Sequence, residues 1–312
     1  MENTNLSYTG LYNFGNSCYF NSSFQFLKPL FDTIKLNSNH TNNVLEILND
    51  YYNCYYNKSF LYTKYKKICK AIHSNGGQQD SDEAILFLLN TILESPNYIK
   101  DTLNISVKYK NLIKCLGCEA YKICNDGKDQ IENILISKYF TENTISSQNV
   151  TPFKDFLSNV IKKESADDGK INTFKIETSC RCTDKKISFQ TVLTEMPKFL
   201  IIYINRCYYN KSAKNINRLQ IAKYFQITTP ESLEECCKDN HSKYILNDYH
   251  LYGIVIHSGN KNSGHYYSCS RDVQTNDWYI CNDQNVNKID KFDINNENIQ
   301  SNCSALLYIK NN

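Results

Sequence analysis

Hydrophobic positions in the first hundred residues fall at helical spacing. Phe20, Phe24 and Leu27 recur at i, i+4 and i+7 and give residues 16 to 30 one apolar face, a helix expected to stop near Pro29. Asn16 or Ser17 stands at its start, where either side chain can accept a bond from the first N–H groups. Val44, Leu45, Ile47 and Leu48 predict a second helix, and residues 51–72 carry a further helix-compatible pattern rich in Tyr and Lys. Gly76-Gly77 breaks the chain. Asp80, with Glu83 three residues later, opens a capping box ahead of the apolar run Ala84-Ile85-Leu86-Phe87-Leu88-Leu89.

The pattern then changes. Residues 105–113, 131–136, 173–177 and 187–193 hold β-branched residues with partial alternation and predict strands. Residues 138–170 form a polar insert expected to include a surface loop. Phe199-Leu200-Ile201-Ile202-Tyr203-Ile204 is apolar throughout, the signature of a central strand. Residues 251–257, 266–270, 278–281 and 305–309 complete the strands. Residues 258–264 make a loop, and 208–220 and 230–247 are polar connections. There is no internal repeat and no long linker. Helices first and strands after predict an α+β fold.

Composition narrows the chemistry. The chain has 312 residues, room for one large domain or two ordinary ones. A net charge of +3 gives no strong pull toward nucleic acid or anionic membrane. No apolar run approaches the about 18 residues that span a bilayer. Fourteen cysteines follow a polar N-terminus that does not read as a secretory signal. That combination points to reduced thiols, metal ligands or a nucleophile in the cytosol or nucleus, not a disulfide framework.

One cysteine stands apart. Cys18 falls in the first turn of the first helix, behind the polar loop Gly10–Ser17, where the positive end of the helix dipole favours a thiolate. A buried structural cysteine is the ordinary alternative. A nucleophile needs a base, and His265 follows Gly264 at the start of a strand. Asn282 and Asp283 lie one hairpin further on, where either could accept the imidazole N–H and fix its tautomer. His257 is a rival base, read as a strand-end histidine with a satisfied hydrogen bond. The backbone N–H of Cys18 and the amide of Asn13 are candidate oxyanion donors. Separately, Cys115-Leu116-Gly117-Cys118 and Cys180-Arg181-Cys182 suit a four-thiolate zinc, with Cys124 a possible substitute and unliganded thiols the alternative.

These segments together resemble the ubiquitin-specific proteases. Residues Gly10 to Ser22 are similar to that family's cysteine box, G-L-x-N-x-G-N-T-C-Y-M-N-S, with Ser17 for Thr and Phe20 for Met. Gln78-Gln79-Asp80-Ser81-Asp82-Glu83 resembles its Q-Q-D-A-x-E segment, although Ala84 replaces the usual aromatic. Met196 to Arg206 resembles its L-P-x-x-L-x-x-x-L-K-R strand. Tyr249 to Gly259, Gly264-His265-Tyr266, Trp278-Tyr279 and Asn282 to Val286 follow the histidine box in order, and Ala305 to Tyr308 matches the closing strand.

The resemblance implies a papain-like fold in one catalytic domain. A lead-in would cover 1–9, a helical thumb about 10–103, β-hairpin fingers about 104–195 and a β-rich palm about 196–312. It implies Cys18 as nucleophile, His265 as base, Asn282 as third member with Asp283 sharing or taking over that role, and Asn13 in the oxyanion hole. Asp80 and Glu83 would meet the arginines of a ubiquitin tail, and Gly264 and Tyr266 would wall a slot for its Gly-Gly. Zinc at Cys115, Cys118, Cys180 and Cys182 would be structural, with no cofactor for catalysis. The expected partners are ubiquitin and ubiquitinated proteins, with no nucleic acid and no membrane, for a monomeric thiol hydrolase. The alternatives are a catalytically inactive ubiquitin-binding scaffold and a hydrolase of another ubiquitin-like modifier.

Overall fold

The computed structural model describes residues 8, 10–34, 63, 66–67, 79–93, 103–115, 121–123, 128–137, 139–142, 150–161, 187–207, 214–231, 243–260 and 263–311. The predicted segments at 44–48 and 173–177 lie outside them, as does 51–72 apart from Thr63, Lys66 and Lys67, which are helical.

Among the described residues the fold opens with α1 (Cys18–Phe26), α2 (Lys28–Ile34) and α3 (Ser81–Leu93). Every residue of α1 is buried, so it is a core helix and not one with a single apolar face. Pro29 does not end it. The break falls two residues earlier, at Leu27, and Pro29 sits in the first turn of α2, where a missing N–H costs no helical bond. Nor does the side chain of Ser17 cap α1, although Ser17 occupies the N-cap. Its hydroxyl is turned back into the loop, accepting from the Phe14 N–H at 2.9 Å.

Strands and short helices follow: β1 (Val107–Cys115), β2 (Tyr121–Ile123), β3 (Gln130–Glu132), β4 (Leu135–Ser137), α4 (Tyr139–Glu142), β5 (Val150–Thr151), α5 (Phe153–Ile161) and β6 (Ile187–Glu195). The last third contains β7 (Phe199–Ile204), β8 (Arg218–Leu219), β9 (Tyr224–Pro230), β10 (Tyr244–Gly259), β11 (Gly264–Arg271), β12 (Trp278–Asn282), β13 (Asn285–Ile289), α6 (Glu297–Asn302) and β14 (Cys303–Lys310). One sheet runs β13-β12-β11-β10-β14-β7-β4, with β9 also paired to β10. A second joins β1 to β2, β3 and β6. This is the expected α+β architecture.

The large sheet is buried on both faces, which explains the unbroken apolar run of β7. Phe199, Ile201 and Tyr203 pack with α1 to α3, while Leu200, Ile202 and Ile204 enter a second core. That second core is closed by α5 through Phe153, Phe156 and Val160. The insert predicted as polar therefore holds a helix. Its apolar residues, at i, i+3 and i+7, are diluted by Lys154, Asp155, Ser158 and Asn159 between them. Other boundaries move too. The predicted strand 131–136 is two, β3 and β4. The connection 208–220 contains β8, and 230–247 gives way to the end of β9 and the start of β10, whose registered partners are Tyr244↔Pro230 through His250↔Tyr224.

A buried guanidinium joins the edge of this second core. Arg206 is 3% exposed, and its partners are four carbonyls and one sulfur. Nε donates to Cys303 O at 2.8 Å, Nη1 to Asn217 O at 2.7 Å and Nη2 to Gln300 O at 2.8 Å. The Phe140 ring lies 4.2 Å away. The side chain thus ties the end of β7 to the segment before β8 and to the α6–β14 junction. Arg206→Met strands those carbonyls in a low-dielectric interior. It is expected to lower the unfolding free energy by about 3 kcal/mol or more in urea titration; a loss below about 1 kcal/mol would show that the carbonyls find other donors.

Candidate active site

The loop before α1 is shaped by its own side chains. Asn13 Oδ1 accepts from the N–H of Gly15 at 2.9 Å and of Ser17 at 3.3 Å, curling residues 13–17 into a tight arc. Gly15 has φ +104°, a conformation that favours glycine. The arc delivers Cys18 as the first residue of α1, 4% exposed.

Facing it is the two-residue turn Asp283-Gln284 between β12 and β13. Asp283 adopts φ +49°, which Asp tolerates better than most side chains. Its carbonyl accepts from the Leu11 N–H at 2.8 Å. Its carboxylate accepts from Asn13 Nδ2 at 2.8 Å and from Asn21 Nδ2 at 2.7 Å. Gly10 completes the fit, since a Cβ there would stand 2.2 Å from Gln284 O. Two segments at opposite ends of the chain are thereby locked face to face.

His265 lies near the start of β11, the strand beside β12. Its Nε2 is 2.6 Å from Asn282 Oδ1 and 3.8 Å from Asp283 Oδ2. An amide oxygen only accepts, so Nε2 carries the proton and the neutral ring keeps a lone pair on Nδ1. The next residue on β11, Tyr266, directs its backbone N–H at the Cys18 sulfur. The thiol is not depressed as its helical position suggested. Burial pushes it up, and the Asp283 charge adds to that, outweighing the N–H groups of Tyr266, Tyr19 and Cys18. In this arrangement Cys18 rests as a thiol, and a base is needed to make it a nucleophile.

Behind β11 sits a packed polar layer. The Tyr266 ring stacks on His257 at 4.2 Å and 15°, and its hydroxyl donates to Asp80 Oδ1 at 2.9 Å. His257 is 6% exposed and held down at about 4, mainly by burial and then by Lys214, so it is neutral at pH 7. Gly264 is needed here, because a Cβ would come within 2.3 Å of His257 Nε2. Asp80 and Glu83 are exposed at the start of α3. Between them Asp82, which the sequence reading did not single out, has a buried Oδ1 without a hydrogen-bond partner in the structure.

The structure therefore gathers Asn13, Cys18, His265, Asn282 and Asp283 around the Asp283 turn and β11, with Asp80 joined to them through the Tyr266 side chain and Gly264 preceding His265 on the strand. Asn21 and Asp82 are additions. The four-cysteine constellation is represented only by Cys115, fully buried at the end of β1; Cys118, Cys124, Cys180 and Cys182 lie outside the described residues. Among the described residues no cluster of three or more His, Cys, Asp or Glu could hold a metal, and no helix is long and apolar enough to cross a membrane.

A cysteine on a helix start, an imidazole on one strand and an amide on the next now meet a broader comparison. The family model described as ubiquitin carboxyl-terminal hydrolase matches residues 9–308. The chain belongs to the ubiquitin carboxyl-terminal hydrolase family. Among curated members, ubiquitin carboxyl-terminal hydrolase 48 of Danio rerio is 24% identical over 310 residues, covering 91% of this chain and 27% of the relative. Ubiquitin carboxyl-terminal hydrolase 47 of Drosophila melanogaster is 38% identical over 68 residues, 22% of this chain and 4% of the relative. The chain thus spans a minor part of the length of these members. The SAGA Ubp8/Sgf11/Sus1/Sgf73 DUB module bound to ubiquitin aldehyde has the same fold, with TM-score 0.68 at 20% identity over 98% of this chain and 70% of that one. The papain-like architecture of the family is the one built here from two helix-covered faces of a single sheet.

Asp82 gives this family member a measurable pH signature. Burial, then the Asp80 charge, raises its carboxyl to about 6. The folded state therefore binds this proton more tightly than the unfolded chain. The stability it gives is present at low pH and lost as pH rises through about 6. Asp82→Asn should be more stable than the parent at pH 7 by about 1–3 kcal/mol, with the gap closing toward about pH 4. Urea titrations across that range check this; a gap independent of pH would contradict it.

Proposed function

We propose that this protein is a cysteine-type deubiquitinating hydrolase that cleaves the bond after the C-terminal Gly-Gly of ubiquitin. The observation that carries this reading is the 2.6 Å contact between His265 Nε2 and Asn282 Oδ1. It leaves Nδ1 as the proton acceptor on the strand whose next N–H meets the Cys18 sulfur.

The steps follow from that geometry. His265 Nδ1 takes the Cys18 proton as the sulfur attacks the carbonyl of the terminal glycine. Charge develops on the carbonyl oxygen, and the Cys18 backbone N–H and the second proton of Asn13 Nδ2 stabilise it. Collapse expels the amine, which takes the proton from His265, and leaves an acyl-enzyme. Water then attacks with His265 again as base, releasing the carboxylate and restoring the thiol. Asn282 orients the imidazole throughout. Asp283, 3.8 Å from the same nitrogen, backs the imidazole from further off and anchors Asn13 and Asn21.

Substrate selection is assigned to Asp80 and Glu83, whose exposed carboxylates suit the arginines of a ubiquitin tail, and to Gly264 and Tyr266 beside the nucleophile. Ubiquitin and ubiquitinated proteins are the partners in this reading, and the working form is a monomer in cytosol or nucleus. It also includes a structural zinc on Cys115, Cys118, Cys180 and Cys182. Support comes from the register of β1 and β6: Cys115 pairs with Ile187, so the C-x-x-C follows one strand end and the C-x-C precedes the adjoining one. Thiolates in that number would hold zinc and brace the strand ends.

Two measurements test this. Ubiquitin carrying a C-terminal electrophile should label the parent protein at Cys18 and leave Cys18→Ala unmodified. Asn282→Ala should cut kcat on a fluorescent ubiquitin reporter by about 10- to 100-fold with little change in KM. No labelling of folded parent protein, with ubiquitin still bound, would instead support a non-catalytic ubiquitin binder. Faster labelling by another ubiquitin-like modifier would reassign the substrate. Metal analysis of the purified chain should find one zinc per molecule, lost in Cys115→Ser; a metal-free, fully folded parent would remove zinc from the account.

A further inference from the structure

A cavity of about 450 Å³ opens at the end of β11 and β12 opposite His265 and Asn282. Lys223, Arg271 and Lys291 line it, against a single acid, Asp290. Trp278, Phe292 and Tyr224 supply its aromatic surface, with His250 beside Tyr224.

The cations outnumber the one acid and one of them is pre-set. Among the described residues neither Lys223 nor Lys291 forms an ion pair, and Arg271 pairs with no carboxylate. The Arg271 guanidinium stands 5.1 Å from the Tyr252 ring and donates through Nε to Asn276 O at 3.3 Å. That fixes the plane and leaves the terminal N–H groups for an acceptor. Lys223 is anchored by its backbone, whose carbonyl accepts from the Leu251 N–H at 2.9 Å. Cations lining one cavity attract phosphate, and a fixed guanidinium binds it in a set geometry.

The aromatic side argues for a planar group beside the phosphate. Trp278 and Phe292 stack at 4.0 Å and 13°, a flat slab set by β12 and the segment after β13. The Tyr224 hydroxyl is held by Asp248 at 2.9 Å. Rings fixed in this way stack on a base with little loss of freedom. The volume falls within the range of small-molecule sites and is too small for a folded partner.

We propose that this cavity binds a phosphate-bearing ligand with a planar base, the chemistry of a mononucleotide, at a site separate from the thiol centre. Calorimetric titration of the full chain with AMP and ATP tests it, with adenosine, ribose 5-phosphate, inorganic phosphate and a phosphoserine peptide as comparison arms. A nucleotide is expected to bind at one site with a Kd below about 1 mM. Adenosine and each base-free phosphate should bind at least about tenfold more weakly. Arg271→Gln and Lys291→Gln should each weaken the nucleotide by about tenfold or more. Reporter cleavage should be unchanged in both, since neither residue is near Cys18. Trp278 is the chain's one tryptophan, so its fluorescence should change and saturate with the heat. No nucleotide binding, binding indifferent to both substitutions, or tighter binding of the phosphopeptide would overturn the proposal.

Discussion

The carboxylate of Asp283 holds two regions of the chain together, and the site depends on it. It takes hydrogen bonds from Asn13 and Asn21, 270 and 262 residues away in sequence. Both are short and charge-assisted, the stronger class of hydrogen bond in proteins. The carboxylate is only 12% exposed, so removing it would take from each of the two amides a short, charge-assisted acceptor in a half-buried site. The backbone of the same residue receives Leu11, and its neighbour Gln284 fits against Gly10. One left-handed residue in a hairpin turn therefore serves as the seat for the whole loop that carries Cys18.

That seat would mean little on a soft frame. The strands bearing His265 and Asn282 belong to a sheet with apolar cores on both faces, one closed by α1 to α3 and the other by α5. Because α1 is buried all round, the cysteine cannot shift without disturbing Phe20, Phe24 and their neighbours. The imidazole is set by the strand and by the amide on the next strand. Cys18 and His265 are thus each fixed by a different part of the core, and the Asp283 turn joins the two.

Much of this could be read from the residues in order. The cysteine box, the histidine box and the run Phe199–Ile204 carried family and architecture because their chemistry is local. What escaped was tertiary. The helix α5 was hidden because its core-facing residues Phe153, Phe156 and Val160 sit among polar ones, and only the sheet face they cover gives them meaning. The end of β9 at Pro230 and the start of β10 read as a connection, since Tyr244, Ile245 and Leu246 stand exposed among polar residues. The dipole argument for Cys18 was sound but incomplete; burial and the Asp283 charge reverse its outcome. Asp283 itself looked like a second candidate for the imidazole. In the structure Asn282 stands nearer the ring than Asp283, at 2.6 Å against 3.8 Å, and the Asp283 carboxylate also receives Asn13 and Asn21; no spacing rule contains that arrangement.

A double-mutant cycle on Asn21 and Asp283 tests the clamp most directly, because Asn21 Nδ2 donates both to the Asp283 carboxylate and to Tyr12 O in the loop. With kcat/KM measured on a ubiquitin reporter for the parent, Asn21→Ala, Asp283→Ala and the double variant, the account predicts strong non-additivity. The second substitution should cost at least about 1 kcal/mol less transition-state stabilisation once the first is made. Losses that simply add would contradict the clamp and leave the position of Cys18 to packing alone.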